Sequence, residues 1–385
     1  MGRIMKRALF AGLLIASSSG AVSQAGGIDP INGMEAAPIA LLIDAQTGQV
    51  LYAKEADRRF VPASITKIMT AFIAFELIAN GKLDTEQTFA LSPTAAETWY
   101  RRGSTLFLEP DEPVSVNTLL RGITSVSAND ASVVLAEGID GSIAQWSARM
   151  NATAARLGMA DSHFATPNGW PDEGATFTSA EDLANLSREL VRRHPSLYAR
   201  YFGQDGMRYN GFAQSNHDPI TGIVDGADGI KTGYTRQAGL GFVGSAMRGG
   251  NRLIMVLGGI DNARDRTDIS RSFMEWGFDT FERDIAFTPG EAVGTVAVQN
   301  GRSTQVAVTA PHGISVLRVA GGPPMRGTLR YSGPIIAPVT AGDVVAHLDV
   351  TANKHVVASI PLVAKTDVAR ATNVGRIGNA FGAWF

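Results

Sequence analysis

Residues 61–70 read Val61-Pro62-Ala63-Ser64-Ile65-Thr66-Lys67-Ile68-Met69-Thr70, and a long helical pattern begins within them. Apolar residues recur at helical spacing as far as Asn80, and Gly81 then stands where a helix C-cap glycine belongs. Ser64 and Lys67 are three residues apart, so a helix would place their side chains next to each other. A serine hydroxyl needs a nearby base, and a lysine can serve if burial or positive charge lowers its pKa. A serine that merely caps the helix N-terminus would give the same pattern.

Two further motifs follow along the chain. Ser127-Ala128-Asn129 opens another predicted helix, and its hydroxyl and amide can relay a proton or orient a lysine and a substrate carbonyl. Lys231-Thr232-Gly233 begins a region of strands, where a glycine lets a ligand approach the backbone closely. Taken singly, these motifs also fit a helix cap and a glycine turn. Together with Ser-x-x-Lys, in this order, they are the set typical of penicillin-binding proteins and class A β-lactamases.

Three segments resemble the D-alanyl-D-alanine carboxypeptidases among the low-molecular-mass penicillin-binding proteins. They are residues 61–70, Ser127-Ala128-Asn129-Asp130-Ala131 and Asp228-Gly229-Ile230-Lys231-Thr232-Gly233, and the similarity extends over nearly the whole chain. The resemblance implies a β-lactamase/transpeptidase-like catalytic domain. It also implies a serine peptidase that removes the terminal D-alanine from peptidoglycan pentapeptide stems and is acylated by β-lactam antibiotics.

The resemblance also implies roles for the catalytic residues. Ser64 would attack the carbonyl group between the two D-alanines and become acylated, with Lys67 as its general base. Ser127 and Asn129 would assist proton transfer and substrate placement. Lys231 would maintain the electrostatic environment of the site.

A second group of residues would bind the substrate. Thr232 would contact the terminal carboxylate, beside Gly233. The backbone N–H groups of Ser64 and Tyr234 would form the oxyanion hole, in which the loss of one donor typically costs about 10²–10³ in rate.

The terminal carboxylate also needs a cation. Arg266 lies ten residues before Trp276 and aligns by that distance with the family's carboxylate-binding arginine. An arginine fork suits a carboxylate, although a solvated surface arginine is the alternative. Arg248, at a predicted hairpin turn, is interpreted as a surface residue.

The chain departs from the family at two places. Ala128 replaces the usual glycine of the carboxypeptidases, and its methyl group is expected to be tolerated or to tighten the cleft. Asn216 falls where the family carries a basic residue, which puts substrate contacts there in doubt. Residues 168–174 lack the Glu-x-x-Leu-Asn pattern with which class A β-lactamases supply a deacylating water, so β-lactam turnover is disfavoured.

The wider pattern predicts an α+β catalytic domain over residues 26–284. Hairpins are predicted at 39–52 and 240–258. The predicted helices lie over 117–123, 128–138, 142–157, the segment from a capping box at Thr178-Ser179-Ala180-Glu181 to His194, and 267–282. Strands, then helices, then strands indicate helices packed on an antiparallel sheet.

Residues 285–365 have a different sequence pattern, with little helical periodicity. Glycine, proline, asparagine and aspartate turns separate short valine-rich runs at 295–298, 305–308, 315–319, 344–350 and 356–363. This pattern predicts a small all-β sandwich domain.

Both ends of the chain indicate export. Residues 1–25 have the charged, apolar and small-residue order of a signal peptide, and the apolar run is too short to span a bilayer. At the other end, residues 366–385 place Val374, Ile377, Phe381 and Trp384 on one face of a helix. We expect a periplasmic protein attached by this amphipathic helix to the outer face of the inner membrane, and a docked or frayed tail is the alternative.

The composition narrows the function further. The 385 residues carry a net charge of -2, or about -5 without residues 1–25, so no nucleic-acid partner is indicated. There are no cysteines, and none of the six histidines forms a metal-ligand pair at helical spacing with a carboxylate. We expect no metal and no cofactor.

Two other functions remain open at this stage. A D,D-endopeptidase would use the same nucleophile on peptidoglycan cross-links, but such enzymes usually lack a C-terminal β domain and tail. A non-catalytic peptidoglycan-binding scaffold would need no chemistry, although all the nucleophile and base positions are intact.

Overall fold

The computed structural model describes residues 30–322, 325–352 and 355–372. They form two compact units, one holding residues up to 48 together with 52–279 and the other holding 49–51 together with 280 onward. The predicted signal peptide and the apolar positions of the predicted terminal helix lie outside the described residues. Within the described ranges, no helix has both the length and the apolar character needed to cross a bilayer.

The first unit contains a five-stranded sheet. The strands of this unit are β1 (Ile39–Asp44), β2 (Val50–Lys54), β3 (Thr88–Phe89), β4 (Val114–Ser115), β5 (Gly206–Tyr209), β6 (Phe212–Ser215), β7 (Ala227–Thr235), β8 (Gly239–Arg248) and β9 (Asn251–Ile260). Outside the five-stranded sheet, β3 pairs with β4 and β5 pairs with β6. The sheet order is β2-β1-β9-β8-β7, and β1, β9, β8 and β7 pair antiparallel. Every residue of β1 is buried, so this part of the sheet is covered on both faces.

Helices occupy the long segment between β2 and β7 and the end of the unit. They are α1 (Lys67–Ala79), α2 (Pro93–Trp99), α3 (Val116–Ser125), α4 (Asn129–Asp140), α5 (Ile143–Arg156), α6 (Ala180–Arg193), α7 (Pro195–Tyr201) and α8 (Ala263–Thr280). In α1, all nine residues from Lys67 to Phe75 are buried, so this helix runs through the interior. The amine of Lys67 therefore lies inside the protein.

The predicted α+β class is confirmed, together with both hairpins and all the predicted helices of this unit. The predicted capping box is wrong by one residue. Ser179 caps α6, and its hydroxyl accepts a hydrogen bond from the backbone N–H of Asp182 at 3.1 Å. Thr178 instead pairs through its backbone with Phe60. The last helix begins at Ala263, four residues before the predicted start.

The second unit is the predicted all-β domain. Its strands are β10 (Phe281–Phe287), β11 (Ala292–Gln299), β12 (Gln305–Thr309), β13 (Ile314–Val319), β14 (Arg326–Arg330), β15 (Ile335–Ile336), β16 (Val344–Ala352) and β17 (His355–Ala364). A six-stranded sheet has the order β14-β16-β17-β12-β11-β15, and β10 pairs with β13 in a second sheet. Val316 of the second sheet packs in one core with Val308 and Leu362 of the first, which is the arrangement of a sandwich.

A glycine allows a loop to pack closely against the residues that precede α1. Gly169 has φ +70, and a Cβ atom there would lie 1.8 Å from the carbonyl oxygen of Ala63. The neighbouring carbonyl of Pro167 accepts a hydrogen bond of 2.7 Å from the hydroxyl of Thr70 on α1. The loop that carries Gly169 thus presses directly on the residue before Ser64.

We expect Gly169→Ala to lower the free energy of unfolding by about 3 kcal/mol, because the substitution adds overpacking to the strain of a left-handed backbone. Gly158→Ala is the matched control, since Gly158 has φ +74 but nothing within 4 Å of its Cβ position. The control should cost about 1 kcal/mol. Urea unfolding of the protein without residues 1–25 measures both, and equal losses would contradict the packing argument.

Candidate active site

Ser64 and Lys67 meet at the start of α1. Ser64 lies in a 3-10 turn formed by Ala63–Thr66, and Lys67 is the first residue of the helix. Lys67 Nζ and Ser64 Oγ are 2.8 Å apart. Neither the turn nor α1 has a side-chain capping hydrogen bond at its N-cap residue. Ser64 is therefore a partner of the lysine and not a helix cap, which removes the alternative that the sequence left open.

Two more predicted residues reach the same amine. Ser127 Oγ lies 3.3 Å from Lys67 Nζ, and Asn129 Oδ1 accepts a hydrogen bond from it at 2.8 Å. The N-cap residue of α4 is Ala128, again without a side-chain capping bond. Ser127 thus faces the lysine instead of capping α4, and the first two motifs converge on one atom.

The backbone is held in a left-handed conformation at two of these turns. Ala63 has φ 50 and Ser127 has φ 64, although neither residue is a glycine. Such conformations cost free energy and persist where the surrounding structure requires them, often at functional sites. Here they turn the chain immediately before Ser64 and immediately before α4.

Ala128 replaces the family's glycine without strain. Its side chain is fully buried, and its φ and ψ of -60 and 121 suit any residue. The position does not need the conformational freedom of glycine, so the extra methyl group is accommodated.

The pKa of Lys67 is well below its ordinary value. Burial is the main cause, the positive charge of Lys231 adds to it, and the negative charge of Asp130 partly opposes it. A neutral amine is a base, and it lies within hydrogen-bond distance of a hydroxyl. The arrangement can therefore deprotonate Ser64 as it attacks a carbonyl group.

Asp130 was not predicted to have a role. It is buried, and its carboxylate accepts hydrogen bonds from the backbone N–H groups of Leu106 at 3.0 Å and Leu108 at 3.2 Å, and from the hydroxyl of Thr105. It orders the loop that faces Asn129 and places a negative charge near Lys67. Its signal in the sequence was its place directly after Asn129.

The third motif lies on β7, beside the Ser64 turn. A Cβ atom at Gly233 would lie 2.5 Å from the carbonyl oxygen of Pro62, so only a glycine allows this approach. Lys231 and Thr232 are buried, whereas Tyr234 is 62% exposed. Tyr234 therefore lies at the surface of the strand that borders Ser64.

Lys231 is a second lysine with an altered pKa. Burial lowers the pKa of Lys231 to about 7, Asp218 raises it and Arg266 lowers it further. Its amine donates a 3.0 Å hydrogen bond to the carbonyl oxygen of Thr232. Asp218 was not predicted to have a role, and its carboxylate accepts hydrogen bonds from the backbone N–H groups of Ile220 at 2.9 Å and Thr221 at 3.1 Å.

Arg266 extends from α8 toward the same group of charges. Its guanidinium donates a 3.4 Å hydrogen bond to the carbonyl oxygen of His217, and its buried Nε has no hydrogen-bond partner among the described residues. An arginine with an unsatisfied buried nitrogen can accept an anion. Arg248, which was not predicted to belong to the site, forms two 2.7 Å hydrogen bonds with Glu275.

His217 was also missed, because Asn216 was taken as the residue at the family's basic position. Asn216 is structural, since its amide donates to Gln204 at 2.9 Å and accepts from the backbone of Asp218 at 3.1 Å. Partial burial and the positive charges of Lys231 and Arg266 lower the pKa of the neighbouring His217. His217 and Asp218 are thus the ionisable side chains of this segment that interact with the site's cations.

Comparison with protein families agrees with this geometry. Residues 30–262 match the family described as D-alanyl-D-alanine carboxypeptidase, and residues 281–370 match the penicillin-binding protein 5 C-terminal domain. This chain belongs to the D-alanyl-D-alanine carboxypeptidases. The resemblance stated from the three motifs is confirmed, and the protein is a serine-type carboxypeptidase of the penicillin-binding class. The endopeptidase and scaffold alternatives are not favoured.

Individual relatives are similar over most of their length. The chain is 32% identical to the D-alanyl-D-alanine carboxypeptidase DacF of Bacillus subtilis over 83% of this chain and 82% of that protein. It is 33% identical to DacD of Escherichia coli over 68% of each chain.

Solved structures show the same architecture in similar proteins. Penicillin-binding protein 5 of Haemophilus influenzae has a TM-score of 0.76 and 28% identity, over 87% of this chain and 98% of that chain. Penicillin-binding protein D2 of Listeria monocytogenes, in its ampicillin-bound form, has a TM-score of 0.57 and 29% identity, over 63% of this chain and 98% of that chain.

The electrostatics of this carboxypeptidase predict a pH effect. If neutral Lys67 is the base, activity rises as the pH increases through the pKa of Lys67. Lys231 lowers that pKa, so Lys231→Gln should raise it and move the acidic limb of the kcat/KM profile to higher pH, besides reducing the rate. The measurement is D-alanine release as a function of pH.

Lys82→Gln serves as the control for this profile. Lys82 is an exposed lysine after α1, and its loss should leave the acidic limb where it is. An acidic limb that stays in place in Lys231→Gln would show that the two amines are not coupled.

Proposed function

We propose that this carboxypeptidase removes the terminal D-alanine from peptidoglycan stem peptides through an acyl-enzyme on Ser64. The observation that carries the proposal is the 2.8 Å separation between Ser64 Oγ and the amine of Lys67, whose pKa burial lowers. A serine and a neutral lysine in this geometry form an activated nucleophile. The remaining predicted residues surround this pair or lie on β7 and α8 beside it.

The reaction follows from these positions. Lys67 Nζ takes the proton from Ser64 Oγ, which attacks the carbonyl carbon between the two D-alanines. The tetrahedral intermediate collapses, the C–N bond breaks, and the proton passes to the departing amine with the help of Ser127, which lies 3.3 Å from Lys67 Nζ. Water then attacks the ester with the same lysine as base and restores Ser64.

Two groups of donors would stabilise the charges of the substrate. The backbone N–H groups of Ser64 and Tyr234 bind the oxyanion, because Gly233 brings β7 against the Ser64 turn. Arg266 and Thr232 bind the carboxylate of the leaving D-alanine, and the unsatisfied Nε of Arg266 supports this assignment. Burial lowers the pKa of the Lys67 amine, and the positive charge of Lys231 lowers it further, so both favour the neutral form of the base.

β-Lactam antibiotics would acylate the same serine. They present a reactive carbonyl group and a carboxylate, which are the two features that this arrangement binds. The similar Listeria protein has been crystallised in an ampicillin-bound form and a cefotaxime-bound form, which supports the proposal.

Ser64→Ala tests the nucleophile directly. The mature protein, residues 26–385, should release D-alanine from a peptide that ends in Lys-D-Ala-D-Ala and should gain the mass of one benzylpenicillin. The variant should lose both, with a rate reduced by about 10³-fold or more, since the residual rate comes from binding alone.

The outcomes separate the remaining functions. A penicillin adduct without D-alanine release would keep Ser64 as the nucleophile but indicate cross-linked peptidoglycan, the substrate of an endopeptidase. A protein that shows neither adduct nor release would be a scaffold. Unchanged melting of Ser64→Ala would show that the loss is chemical and not structural.

We also propose that the protein is exported to the periplasm and held on the inner membrane by its C-terminus. The order of residues in 1–25 and the apolar stripe beginning at Val374 support this. Val368 is part of the β core, and the guanidinium of Arg370 donates a 3.1 Å hydrogen bond to the carbonyl oxygen of Ala337. The anchoring segment would therefore begin after Arg370.

A truncation that ends at Thr372 should move the protein from the membrane fraction to the soluble periplasmic fraction and leave D-alanine release by the purified enzyme unchanged. Fractionation of cells with antibody detection measures the first effect. Cleavage of the precursor after residue 25 or nearby should be visible as a change in mass. Membrane association that survives the truncation would contradict the proposed anchor.

A further inference from the structure

Arg102 lies in the loop between α2 and β4, next to the active site. Its guanidinium carbon is 4.8 Å from the centre of the Trp170 ring, and Trp170 in turn meets Trp99 edge to face at 5.6 Å. An arginine stacked on an aromatic ring is held in one orientation without being neutralised. The charge of Arg102 is therefore positioned while remaining exposed to solvent.

The loop is tied to a residue of the catalytic group. Asn129, which binds the amine of Lys67, donates from its side chain to the carbonyl oxygen of Arg102 at 3.3 Å and from its backbone to Ser104 at 2.8 Å. A Cβ atom at Gly103 would lie 2.8 Å from Asn129 Nδ2 and 2.9 Å from Trp170. The segment thus presses on Asn129 as closely as a glycine allows.

The two neighbouring arginines differ in their partners. Arg101 has φ 55, so its backbone is strained, and its guanidinium lies 3.6 Å from the carboxylate of Glu109. Among the described residues, the guanidinium of Arg102 has no carboxylate within 4.0 Å, and it donates only one hydrogen bond, of 3.5 Å, to the carbonyl oxygen of Thr98. A fixed cation without a counter-ion beside a catalytic asparagine is suited to an anion from the substrate.

We propose that Arg102 binds a carboxylate on the acyl part of the substrate and makes the enzyme prefer acidic stem peptides. The inference rests on the proposed function of Ser64 and deepens it. The terminal carboxylate is assigned to Arg266 on α8, and the leaving group is a single D-alanine. A second anion on the same substrate must therefore belong to the part that acylates Ser64.

The test uses two peptides that differ by one charge. Both contain γ-D-glutamyl-Nε-acetyl-L-lysyl-D-alanyl-D-alanine with an acetylated N-terminus, and the α-carboxylate of the glutamyl residue is free in one and amidated in the other. We expect the parent to favour the free acid by about fivefold in kcat/KM, as for one solvent-accessible charge-assisted contact. Arg102→Gln should bring this ratio close to one, and high salt should reduce it in the parent.

Two further variants complete the experiment. Arg101→Gln, the matched control, should keep the ratio of the parent. Arg266→Gln should lower kcat/KM for both peptides alike, because both end in the same carboxylate. Since each ratio is taken within one protein preparation, a partly unfolded variant does not change it.

The results distinguish the inference from the function on which it rests. Hydrolysis of both peptides by the parent at equal kcat/KM, or an Arg102→Gln variant that keeps the preference, overturns the role of Arg102 and leaves the carboxypeptidase activity intact. Release of D-alanine from neither peptide overturns the proposed function and the inference together.

Discussion

The burial of the Lys67 amine is the constraint on which the rest of the site depends. A charged amine in the interior is costly unless a carboxylate compensates it, and here Asp130 divides its hydrogen bonds among Thr105 and the backbone of the facing loop. Burial therefore favours the neutral, basic form of the amine, with Ser64, Ser127 and Asn129 around it. The folded state binds fewer protons at this lysine than the unfolded chain does, so the arrangement destabilises the fold as the pH falls below the ordinary lysine pKa.

The backbone around this site has unusual conformations or unusually close contacts at several positions. Ala63 and Ser127 are left-handed without being glycines, whereas Gly169 and Gly233 are glycines because a Cβ atom would meet the carbonyl oxygens of Ala63 and Pro62. A strained turn is maintained only where its neighbours leave no alternative. The two glycines bring a loop and a strand against the turn that carries Ser64 and hold it in place.

The sequence predicted the individual motifs of this site, but it did not show that they come together at the amine of Lys67. A separation of three residues at a helix start predicts the Ser64–Lys67 contact. Asn129, however, is 62 residues from Lys67, and no local spacing shows that Ser64 and Asn129 both reach the amine of Lys67. The β5–β6 hairpin was missed because its residues are largely exposed and lack an apolar alternation. Thr178 was chosen as the cap of α6 because Glu181 completes a capping box three residues later, yet Ser179 has an acidic residue at the same spacing. Asp130 and Asp218 act through charge at a distance, which a motif does not encode.

The positively charged side chains of the site divide into lysines and arginines with different roles. Lys67 and Lys231 are buried, and a lysine responds to burial by losing its proton at a lower pH, which for Lys231 means a pKa of about 7. An arginine keeps its charge in the same surroundings. The groups that move or tune protons are therefore lysines, while the groups available to hold carboxylates, Arg266 on α8 and Arg102 over Trp170, are arginines. If Lys231 loses its charge near neutral pH, Arg266 remains as a cation for the substrate's C-terminal carboxylate. We therefore expect substrate binding to be less sensitive to pH than the transfer of the proton from Ser64.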